Sequence, residues 1–258
     1  MPRNNNPFFS IITVTKNSEK TLERTIKSLK NQTFKNFEYI IIDGKSSDGT
    51  TSIINNNRNI IDFFLIKKDK NMWEAINTGI KHSKGKIIGI LNSDDVLNSN
   101  GLEIVWKYFN SKKIDFLCGS VKKKKIYHGF EPKKIKYKFN FFPSHSVGLY
   151  IKKDVHNKIG LYDSDLKYCA DYDLIYRLIK NKYKGDYTSK SEVIGRFYHG
   201  GMSDKINFVT TMYYQAKVRL KNNENIVYVL MLSFAHIIYY YLMKYSKIIK
   251  FFFKSIKL

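Results

Sequence analysis

Short apolar runs alternate with helical segments over the first hundred residues, and this alternation constrains the fold more than any other feature of the sequence. Runs of aliphatic, β-branched and aromatic residues predict strands at residues 8–14, 37–44, 61–68 and 86–92. Apolar residues at helical spacing predict a helix at residues 18–32, with Ser18 as its expected N-cap. A turn that leads into a short helix is predicted at residues 46–57, and another helix at 72–83. Such units form a mostly parallel sheet with right-handed crossovers, so the predicted fold class is α/β.

Polar residues follow three of these strands at the point where each strand ends. The three segments are Val14-Thr15-Lys16-Asn17, Asp43-Gly44 and Asn92-Ser93-Asp94-Asp95. In open parallel sheets, ligands bind beyond the carboxyl ends of the strands. We therefore expect all three segments to face one crevice.

Composition bounds the size of the fold and the classes of partner. The chain has 258 residues, of which 43% are hydrophobic, and this suits one large α/β domain or one domain with an appendage. Its 45 basic and 22 acidic residues give a formal net charge of +23. This surplus favours nucleic acid, an anionic membrane surface or phosphorylated small molecules as partners. The alternative is a solvated surface, since Lys, Asn, Ile and Tyr are frequent throughout the chain.

The two cysteines, Cys118 and Cys169, are about fifty positions apart and lie in no metal-binding spacing. We expect reduced, buried thiols in a cytosolic protein. The first residues lack the charged start, apolar stretch and small-residue cleavage site of a signal peptide, so none is expected.

The second half of the chain is less regular. Helices are predicted at residues 102–109 and 170–181, and strands at 114–121, at 145–155 before a turn, and at 191–201. The basic stretch at residues 122–139 is expected to be a β-hairpin or a loop. Acidic residues in the first turn of the 170–181 helix suit the helix dipole.

The C-terminal segment is apolar and then basic. Residues 226–243 contain only Ser233 and His236 as strongly polar side chains, and this length is at the short limit for crossing a bilayer. The following lysines alternate with isoleucine and phenylalanine, as in a helix at a membrane interface. The segment predicts contact with a membrane, and the alternative is a buried helix packed on the domain.

Asp94 and Asp95 are the first candidates for chemistry. Adjacent carboxylates at a strand end repel each other unless a cation compensates them. Oxygen ligands suit Mg²⁺ or Mn²⁺, which bind through one or two carboxylates and the phosphates of a substrate. The alternative is an ordinary acidic turn. Asp43 is able to accept hydrogen bonds from a nucleotide base or ribose, although Asp-Gly is also a common turn pair.

Four motifs occur in order: ITVTKN, IIDGKSSDGT, LNSDD and CADYDLIYRL. Over about residues 8–200 the sequence resembles family 2 glycosyltransferases of the GT-A fold. The resemblance is to the bacterial subgroup of exopolysaccharide, colanic-acid-type and O-antigen assembly. It implies a GT-A (Rossmann-like), mostly parallel sheet flanked by helices, with a C-terminal helical tail.

The resemblance also implies roles for individual residues. Val14 and Thr15 would line the pocket of the nucleotide base, and Asp43 would contact the base or ribose. The NSDD segment stands at the family's DXD position, so Asp95 and Asp94 would bind the metal, and Asp94 the donor as well. Asp171, in CADYDL, would be the catalytic general base.

Three positions depart from the family pattern. Asn92 stands at the first position of the DXD motif, so one carboxylate fewer is present to bind the metal. Lys16 stands where many members have tyrosine, and Ala170 replaces the glutamate that usually precedes the base. These departures leave the identity of the donor open.

Glu74, His145 and His199 are candidates for contacts with donor or acceptor. Each has a structural alternative: Glu74 would cap its helix, and the histidines would be satisfied inside the fold. Asp173 is a second acid in the first turn of the Asp171 helix, and either residue could serve only the helix dipole.

The function implied by the resemblance is transfer of a sugar from a nucleoside-diphosphate sugar to a hydroxyl group of a glycan or polyprenyl-diphosphate-linked acceptor. The enzyme would be a hexosyl- or N-acetylhexosaminyltransferase that depends on Mg²⁺ or Mn²⁺. A single carboxylate that acts as base predicts one displacement, with inversion at the anomeric carbon. The expected location is the cytoplasm, on the inner face of the inner membrane.

The expected domains are a catalytic domain at residues 1–215 and a helical, basic and hydrophobic tail at 216–258. Within the catalytic domain, a nucleotide-binding half is expected at about residues 8–100 and an acceptor half at about 101–205.

Two other functions compete with this prediction. A non-catalytic nucleic-acid-binding protein would explain the charge and the lysines and aromatics at residues 121–130, but no nucleic-acid-binding module is recognisable and no nucleic-acid partner is expected. A Rossmann dinucleotide enzyme would need GxGxxG after the first strand, where ITVTKN stands instead.

Overall fold

The structure is a computed structural model that describes residues 6–139, 145–198 and 206–255. The strands are β1 (Phe9–Thr15), β2 (Phe37–Asp43), β3 (Phe63–Ile66), β4 (Ile87–Ile90), β5 (Val96–Leu97), β6 (Phe116–Cys118), β7 (Ser120–Lys122), β8 (Ile126–Tyr127), β9 (Leu149–Lys152), β10 (Gly185–Tyr187) and β11 (Val193–Arg196). The helices are α1 (Leu22–Lys30), α2 (Thr50–Asn56), α3 (Met72–His82), α4 (Gly101–Ser111), α5 (Lys153–Ile159), α6 (Ala170–Lys180), α7 (Phe208–Lys221) and α8 (Ile226–Ser255). Two short 3₁₀ helices lie at Pro132–Lys136 and Ser146–Gly148.

A seven-stranded, mostly parallel sheet forms the centre of the fold, in the order β10-β6-β9-β4-β1-β2-β3. Strand β1 pairs in parallel with β2 and β4, and β2 with β3, as the alternation of strands and helices predicts. Strand β9 is antiparallel to both of its neighbours, β4 and β6. The prediction of an α/β fold with a mostly parallel sheet is confirmed.

The central strands are buried on both faces because helices cover the sheet on both sides. Ile40 and Ile42 of β2 belong to the same apolar cluster as Trp73 and Ile76 of α3. Their neighbours in β2 face the other way and join a second cluster with residues of α1 and α4. Double burial explains why β2 is almost continuously apolar.

Three predicted elements differ in detail. Helix α1 begins at Leu22 because the Ser18 carbonyl accepts hydrogen bonds from the backbone of Thr21 and Leu22 in a preceding turn, so Ser18 is not the N-cap. The predicted strand at 114–121 divides at Gly119 into β6 and β7, which belong to different sheets. Strand β9 leads into helix α5, not only into a turn. Both cysteines are buried free thiols, as expected.

A second sheet, in the order β5-β11-β7-β8, was not predicted. Its β7–β8 pair is a hairpin that includes the start of the basic stretch, for which a β-hairpin or a loop was expected, and the rest of that stretch forms a loop and a 3₁₀ helix. Strand β11 pairs with β5, which directly follows Asp95, through Gly195 and Leu97 and through Arg196 and Val96. This sheet therefore brings the end of the late strand to the acidic turn after β4.

Helices α7 and α8 pack against each other at the C-terminal end of the described chain. Leu232 of α8 lies in a small apolar cluster with Met212 of α7 and Phe139. Within the part of the chain that the structure describes, one helical segment, Ile226–Ser246, is long and apolar enough to cross a membrane. The domain boundary at residue 215 stays a prediction.

The burial of His156, in α5, makes the stability of the fold depend on pH. Burial, followed by the charge of Arg177, lowers the pKa of this imidazole to about 4. The unfolded chain, with an ordinary histidine pKa near 6.5, therefore binds more protons than the folded chain between those two values. The stability associated with neutral His156 is complete above about pH 6.5 and is lost as pH falls toward 4.

We expect acidification from about pH 8 to about pH 4.5 to cost wild type roughly 2 to 3 kcal/mol more unfolding free energy than His156→Gln. Urea unfolding at the two pH values measures this difference. Equal acid losses in both proteins would contradict the assignment.

Candidate active site

The turn after β4 is held by helix α1 through its backbone. The Thr25 hydroxyl donates to the Asp95 carbonyl at 2.8 Å, and Arg24 donates to the Asp94 carbonyl at 2.7 Å. The Asp95 amide donates to the Asn92 carbonyl at 3.1 Å, which closes the turn. These bonds fix the backbone and leave both carboxylates for other contacts.

Asp95 is buried, and residues distant in sequence surround its carboxylate. The Asn92 side-chain amide donates to Asp95 Oδ2 at 3.0 Å, and His145 Nδ1 lies 3.6 Å from the same oxygen. The backbone of Tyr198 also hydrogen-bonds to Asp95. His145 in turn stacks on Phe197, with 4.2 Å between the ring centroids. The end of β4, the segment before β9 and the end of β11 thus meet at one carboxylate.

The two carboxylates of this turn are electrostatically unfavourable together. Burial, followed by repulsion from Asp94, raises the pKa of Asp95 to about 7. Burial also raises the pKa of Asp94, and the charge of Arg24 opposes this only in part. An additional cation at this position would stabilise both ionised carboxylates.

Asn92 has a definite role in the turn. Its amide nitrogen donates both to Asp95 and to the Ser146 hydroxyl at 3.0 Å, which an aspartate at this position could not do. Its side-chain oxygen is buried without a hydrogen-bond partner. The departure from the DXD pattern therefore removes a carboxylate but supplies a donor that positions Asp95.

The side-chain oxygens of this turn suit a divalent cation that prefers oxygen ligands. Among the residues that the structure describes, no group of three or more His, Cys, Asp or Glu side chains is arranged to hold a metal. Mg²⁺ and Mn²⁺ need only one or two carboxylates when substrate phosphates and water complete the coordination. Asp95, Asp94 and the unpartnered oxygen of Asn92 fit such an ion, provided that a phosphate binds with it.

Asp43 ends β2 at the same edge of the sheet and is fully buried. Its carboxylate accepts hydrogen bonds from the Ser46 amide at 2.9 Å and the Ser46 hydroxyl at 2.5 Å. Asn17, with a positive φ of 51°, accepts from the Ser47 amide and so joins the loop after β1 to the loop after β2. The buried hydroxyl of Thr15 has no hydrogen-bond partner, so it is available to a ligand.

Asp171 and Asp173 lie in the first turn of α6 but have different surroundings. Asp173 accepts a hydrogen bond from Arg177 at 2.8 Å and another from Asn222 at 2.9 Å. Asp171 accepts a hydrogen bond from the Tyr172 amide, at 2.7 Å, and desolvation raises its pKa. No hydrogen bond or ion pair between described residues links Asp171 to the acidic turn after β4.

The remaining candidates divide between structural and site positions. Glu74 accepts from the Lys70 amide at 2.6 Å, which matches its structural alternative at the start of α3. His145 lies beside Asp95, and Val14 is partly buried at the end of β1. His199 lies outside the described residues.

Asp69 was not among the site residues predicted from the sequence, although it lies in a position like that of the predicted acids. It follows β3, its side chain is only 3% exposed, and it lies 2.9 Å from the ammonium group of Lys67. The signal was present, because Asp69 is an acid beyond the carboxyl end of a parallel strand, like Asp43 and Asp95.

Comparison with known sequences identifies relatives of the chain. The profile of the family described as "Glycosyl transferase family 2" matches residues 10–166. An uncharacterized glycosyltransferase of Rickettsia prowazekii is 31% identical over 189 residues, which cover 67% of this chain and 59% of the relative. WfgD of Escherichia coli, named as a UDP-Glc:α-D-GlcNAc-diphosphoundecaprenol β-1,3-glucosyltransferase, is 31% identical over 112 residues, or 43% of this chain and 44% of WfgD. The chain thus spans less than two thirds of either relative.

Solved structures show the same fold at low sequence identity. Staphylococcus aureus TarS 1–349 in complex with UDP-GlcNAc has a TM-score of 0.67 at 18% identity, covering 87% of this chain and 70% of TarS 1–349. The mannosyltransferase PcManGT of Pyrobaculum calidifontis in complex with GDP-Man and Mn²⁺ has a TM-score of 0.61 at 15% identity, covering 90% of this chain and 64% of PcManGT. These similarities confirm the GT-A fold.

Asp95→Asn tests the electrostatics of the acidic turn. At about pH 8, where Asp95 with its pKa of about 7 is mostly ionised, removal of one charge relieves the repulsion. We expect this variant to melt about 2 to 4 °C above wild type in EDTA, as a gain of about 1 kcal/mol would produce.

Asp154→Asn is the control, because this side chain is 63% exposed and its loss should leave the melting temperature unchanged. A lower melting temperature for Asp95→Asn would show that the ionised carboxylate stabilises the turn, and would contradict the predicted repulsion.

Proposed function

Because this chain belongs to glycosyl transferase family 2, we propose that it transfers a sugar from a nucleoside diphosphate to a hydroxyl group of a glycan or polyprenyl-diphosphate-linked acceptor. The observation that carries this proposal is the acidic turn at the carboxyl end of β4, in which Asp95 is buried and Asp94 is partly buried beside it. The two carboxylates are unfavourable together, and a cation that binds with a diphosphate would stabilise them. Membership of this family favours the enzyme over a non-catalytic nucleic-acid-binding protein.

The donor nucleotide would bind across the ends of β1 and β2. Asp43 lies at the end of β2, and Thr15 offers its unpartnered hydroxyl from the end of β1. We assign the base and ribose contacts to these two residues, with Val14 beside them. TarS and PcManGT bind UDP-GlcNAc and GDP-Man, respectively, which supports a nucleotide-sugar donor but leaves the nucleotide and the sugar open.

Asp95 would hold Mg²⁺ or Mn²⁺, with Asp94 as the second ligand. When bound, the cation neutralises negative charge that develops on the leaving diphosphate. Asn92 and His145 would orient the Asp95 carboxylate through the contacts described above. The Mn²⁺ in the PcManGT structure supports this assignment.

Asp171 would take the proton from the acceptor hydroxyl. Desolvation of its partly buried carboxylate raises its pKa, so it binds a proton more readily than an ordinary aspartate does. Asp173 is engaged by Arg177 and Asn222, so it is the poorer candidate. One base without a carboxylate nucleophile implies a single displacement with inversion at the anomeric carbon.

The acceptor would be a glycan intermediate of bacterial surface polysaccharide synthesis. The printed activity of WfgD, on a sugar linked to diphosphoundecaprenol, supports a lipid-linked acceptor. Such an acceptor would place the enzyme in the cytoplasm at the inner face of the membrane. The segment Ile226–Ser246 is consistent with that location.

Asp171→Asn tests the general base. We expect this variant to fold and to bind nucleotide like wild type, while kcat for sugar transfer falls by about 10²-fold or more, because the proton acceptor is lost. A radiolabelled transfer assay and a nucleotide-binding titration measure the two effects.

Asp173→Asn is the matched comparison. It should lower thermal stability, because Arg177 loses the charged partner of its ion pair, while the folded fraction keeps its activity. Unchanged turnover in Asp171→Asn would exclude its role as base.

Asp95→Ala tests the cation site by isothermal titration calorimetry with UDP and GDP. Wild type should bind one of these nucleotides in the presence of Mn²⁺ and lose most of that affinity in EDTA. Asp95→Ala should bind weakly under both conditions, because the protein can no longer fix the cation.

Asp154→Ala serves as the control and should bind like wild type. Metal-independent binding of either nucleotide by wild type, unaffected by Asp95→Ala, would refute the cation assignment. Tight, salt-sensitive DNA binding without sugar transfer would instead support the nucleic-acid alternative.

A further inference from the structure

Helix α8 exposes an apolar surface on one side between Val227 and Leu242. Val227, Met231, Phe234, Ile238 and Leu242 follow helical spacing and form its outer stripe. These five side chains are between 44% and 67% exposed. In a soluble protein such a continuous apolar surface is a site of protein or membrane contact.

The opposite side of α8 packs along the domain. Tyr240 stacks on Phe208 of α7 with 3.9 Å between ring centroids, and Leu232 lies against Met212 and Phe139. Val229, one turn nearer the start of the helix, is also buried. The packed stripe from Val229 to Tyr240 therefore extends about 16 Å along the helix axis.

This lateral packing argues against a helix that crosses the bilayer. The 21 residues of Ile226–Ser246 extend about 31 Å, which is enough to span the hydrocarbon. Phe139, however, packs against Leu232 and lies 5.0 Å from the ring of His236, near the middle of this segment, and the neighbouring Lys138 is exposed. A perpendicular α8 would carry this charged residue and the adjoining part of the domain into the membrane at a cost of several kcal/mol.

Residues 132–138, which we call the basic turn, are held next to the α7–α8 pair. The buried Arg219 of α7 donates to the carbonyls of Ile135 and Lys138, each at 2.7 Å, and pairs with Glu224 at 2.9 Å. Its guanidinium also lies 5.1 Å from the ring centroid of Phe139. These contacts hold the 3₁₀ turn Pro132–Lys136 and the residues after it against the α7–α8 pair.

The basic turn presents charge and an aromatic ring to solvent. Lys133, Lys136, Tyr137 and Lys138 are all exposed. Lysines attract the anionic headgroups of a membrane, and tyrosine prefers the interface between headgroup and acyl chain. The exposed apolar stripe and the exposed lysines thus belong to two structural elements held together by one buried arginine.

We propose that α8 lies in the plane of an anionic membrane, with its outer stripe among the acyl chains and the basic turn against the headgroups. The catalytic domain replaces the polar face that an interfacial helix ordinarily has. A second copy of the chain is the less suitable occupant, because Leu230, Tyr239 and Ile237, on the flanks of the outer stripe, are also exposed. A helix pair would bury only a narrow seam. This inference deepens the membrane location given in the proposed function, and it does not depend on sugar transfer.

Vesicle flotation of the full chain tests the surface. Wild type should bind phosphatidylcholine vesicles that contain phosphatidylglycerol, and bind pure phosphatidylcholine vesicles far more weakly. The double variant Phe234→Asp/Ile238→Asp should lower the partition coefficient by about tenfold or more, because two charges would enter the acyl region.

Removal of charge from the basic turn isolates its contribution. Lys133→Gln/Lys136→Gln should weaken binding to the anionic vesicles by roughly fivefold for each lysine, and leave binding to the neutral vesicles unchanged. Lys81→Gln/Lys86→Gln is the matched control, because both lysines are exposed and lie outside this surface. Equal losses in the two double variants would show that only net charge matters and would overturn the role of the turn.

Labelling of a new cysteine distinguishes an in-plane helix from a spanning one. Cys118 and Cys169 are buried, so Lys244→Cys, at an exposed position near the end of the segment Ile226–Ser246, would supply the reactive thiol. On protein bound to the outside of vesicles, this thiol should react with a membrane-impermeant maleimide as it does without vesicles. Protection that is lifted only by detergent would overturn the in-plane arrangement in favour of a span.

Light scattering and a nucleotide-binding titration complete the test. A stable dimer without lipid, abolished by Phe234→Asp/Ile238→Asp, together with no vesicle binding, would assign the surface to a second copy and overturn the proposal. Cation-dependent nucleotide binding by that variant should match wild type. Its retention separates failure of the membrane surface from failure of the proposed function.

Discussion

Repulsion between two adjacent carboxylates in a largely buried turn is the constraint on which the candidate site depends. Helix α1 holds the backbone of this turn through Thr25 and Arg24, so the turn cannot relax to separate the charges. Asn92 and His145 approach Asp95 without cancelling its charge fully, and its pKa remains raised to about 7. The fold therefore stores an unfavourable interaction that a cation and a diphosphate would relieve.

Several charged groups elsewhere are already satisfied, and this contrast identifies the groups available for chemistry. Asp173 is bound by Arg177 and Asn222, and Arg219 holds the basic turn against α7. The Asp171 carboxylate, by contrast, accepts a hydrogen bond from the backbone amide of Tyr172. Satisfied groups maintain the arrangement of helices around the sheet, and the less satisfied ones lie where a ligand is expected.

Much of the sheet was predictable because its signals are local. Strands β1 to β4 are apolar runs separated by helices, and hydrophobic periodicity within a few residues identifies them. The second sheet was not predictable in this way. Strand β5 has two residues and β7 has three, which are too short for a period to be recognised. Their pairing with β11 joins residues between about 70 and 100 positions apart.

By itself, the sequence determined the α/β class, the parallel order of the first strands and the presence of acids at their carboxyl ends. Only the tertiary structure decided how those acids are used. Asn92 looked like a lost ligand until its amide was found to bridge Asp95 and Ser146, which is 54 positions away. Likewise, the composition of residues 226–243 allowed a span, an interfacial helix or a packed helix, and only the structure shows that one side of this segment packs on Phe208 and Met212 while the other is exposed. The physical reason is that hydrophobic periodicity is a property of neighbouring residues, whereas burial and hydrogen bonding of a polar group depend on partners that only folding brings near.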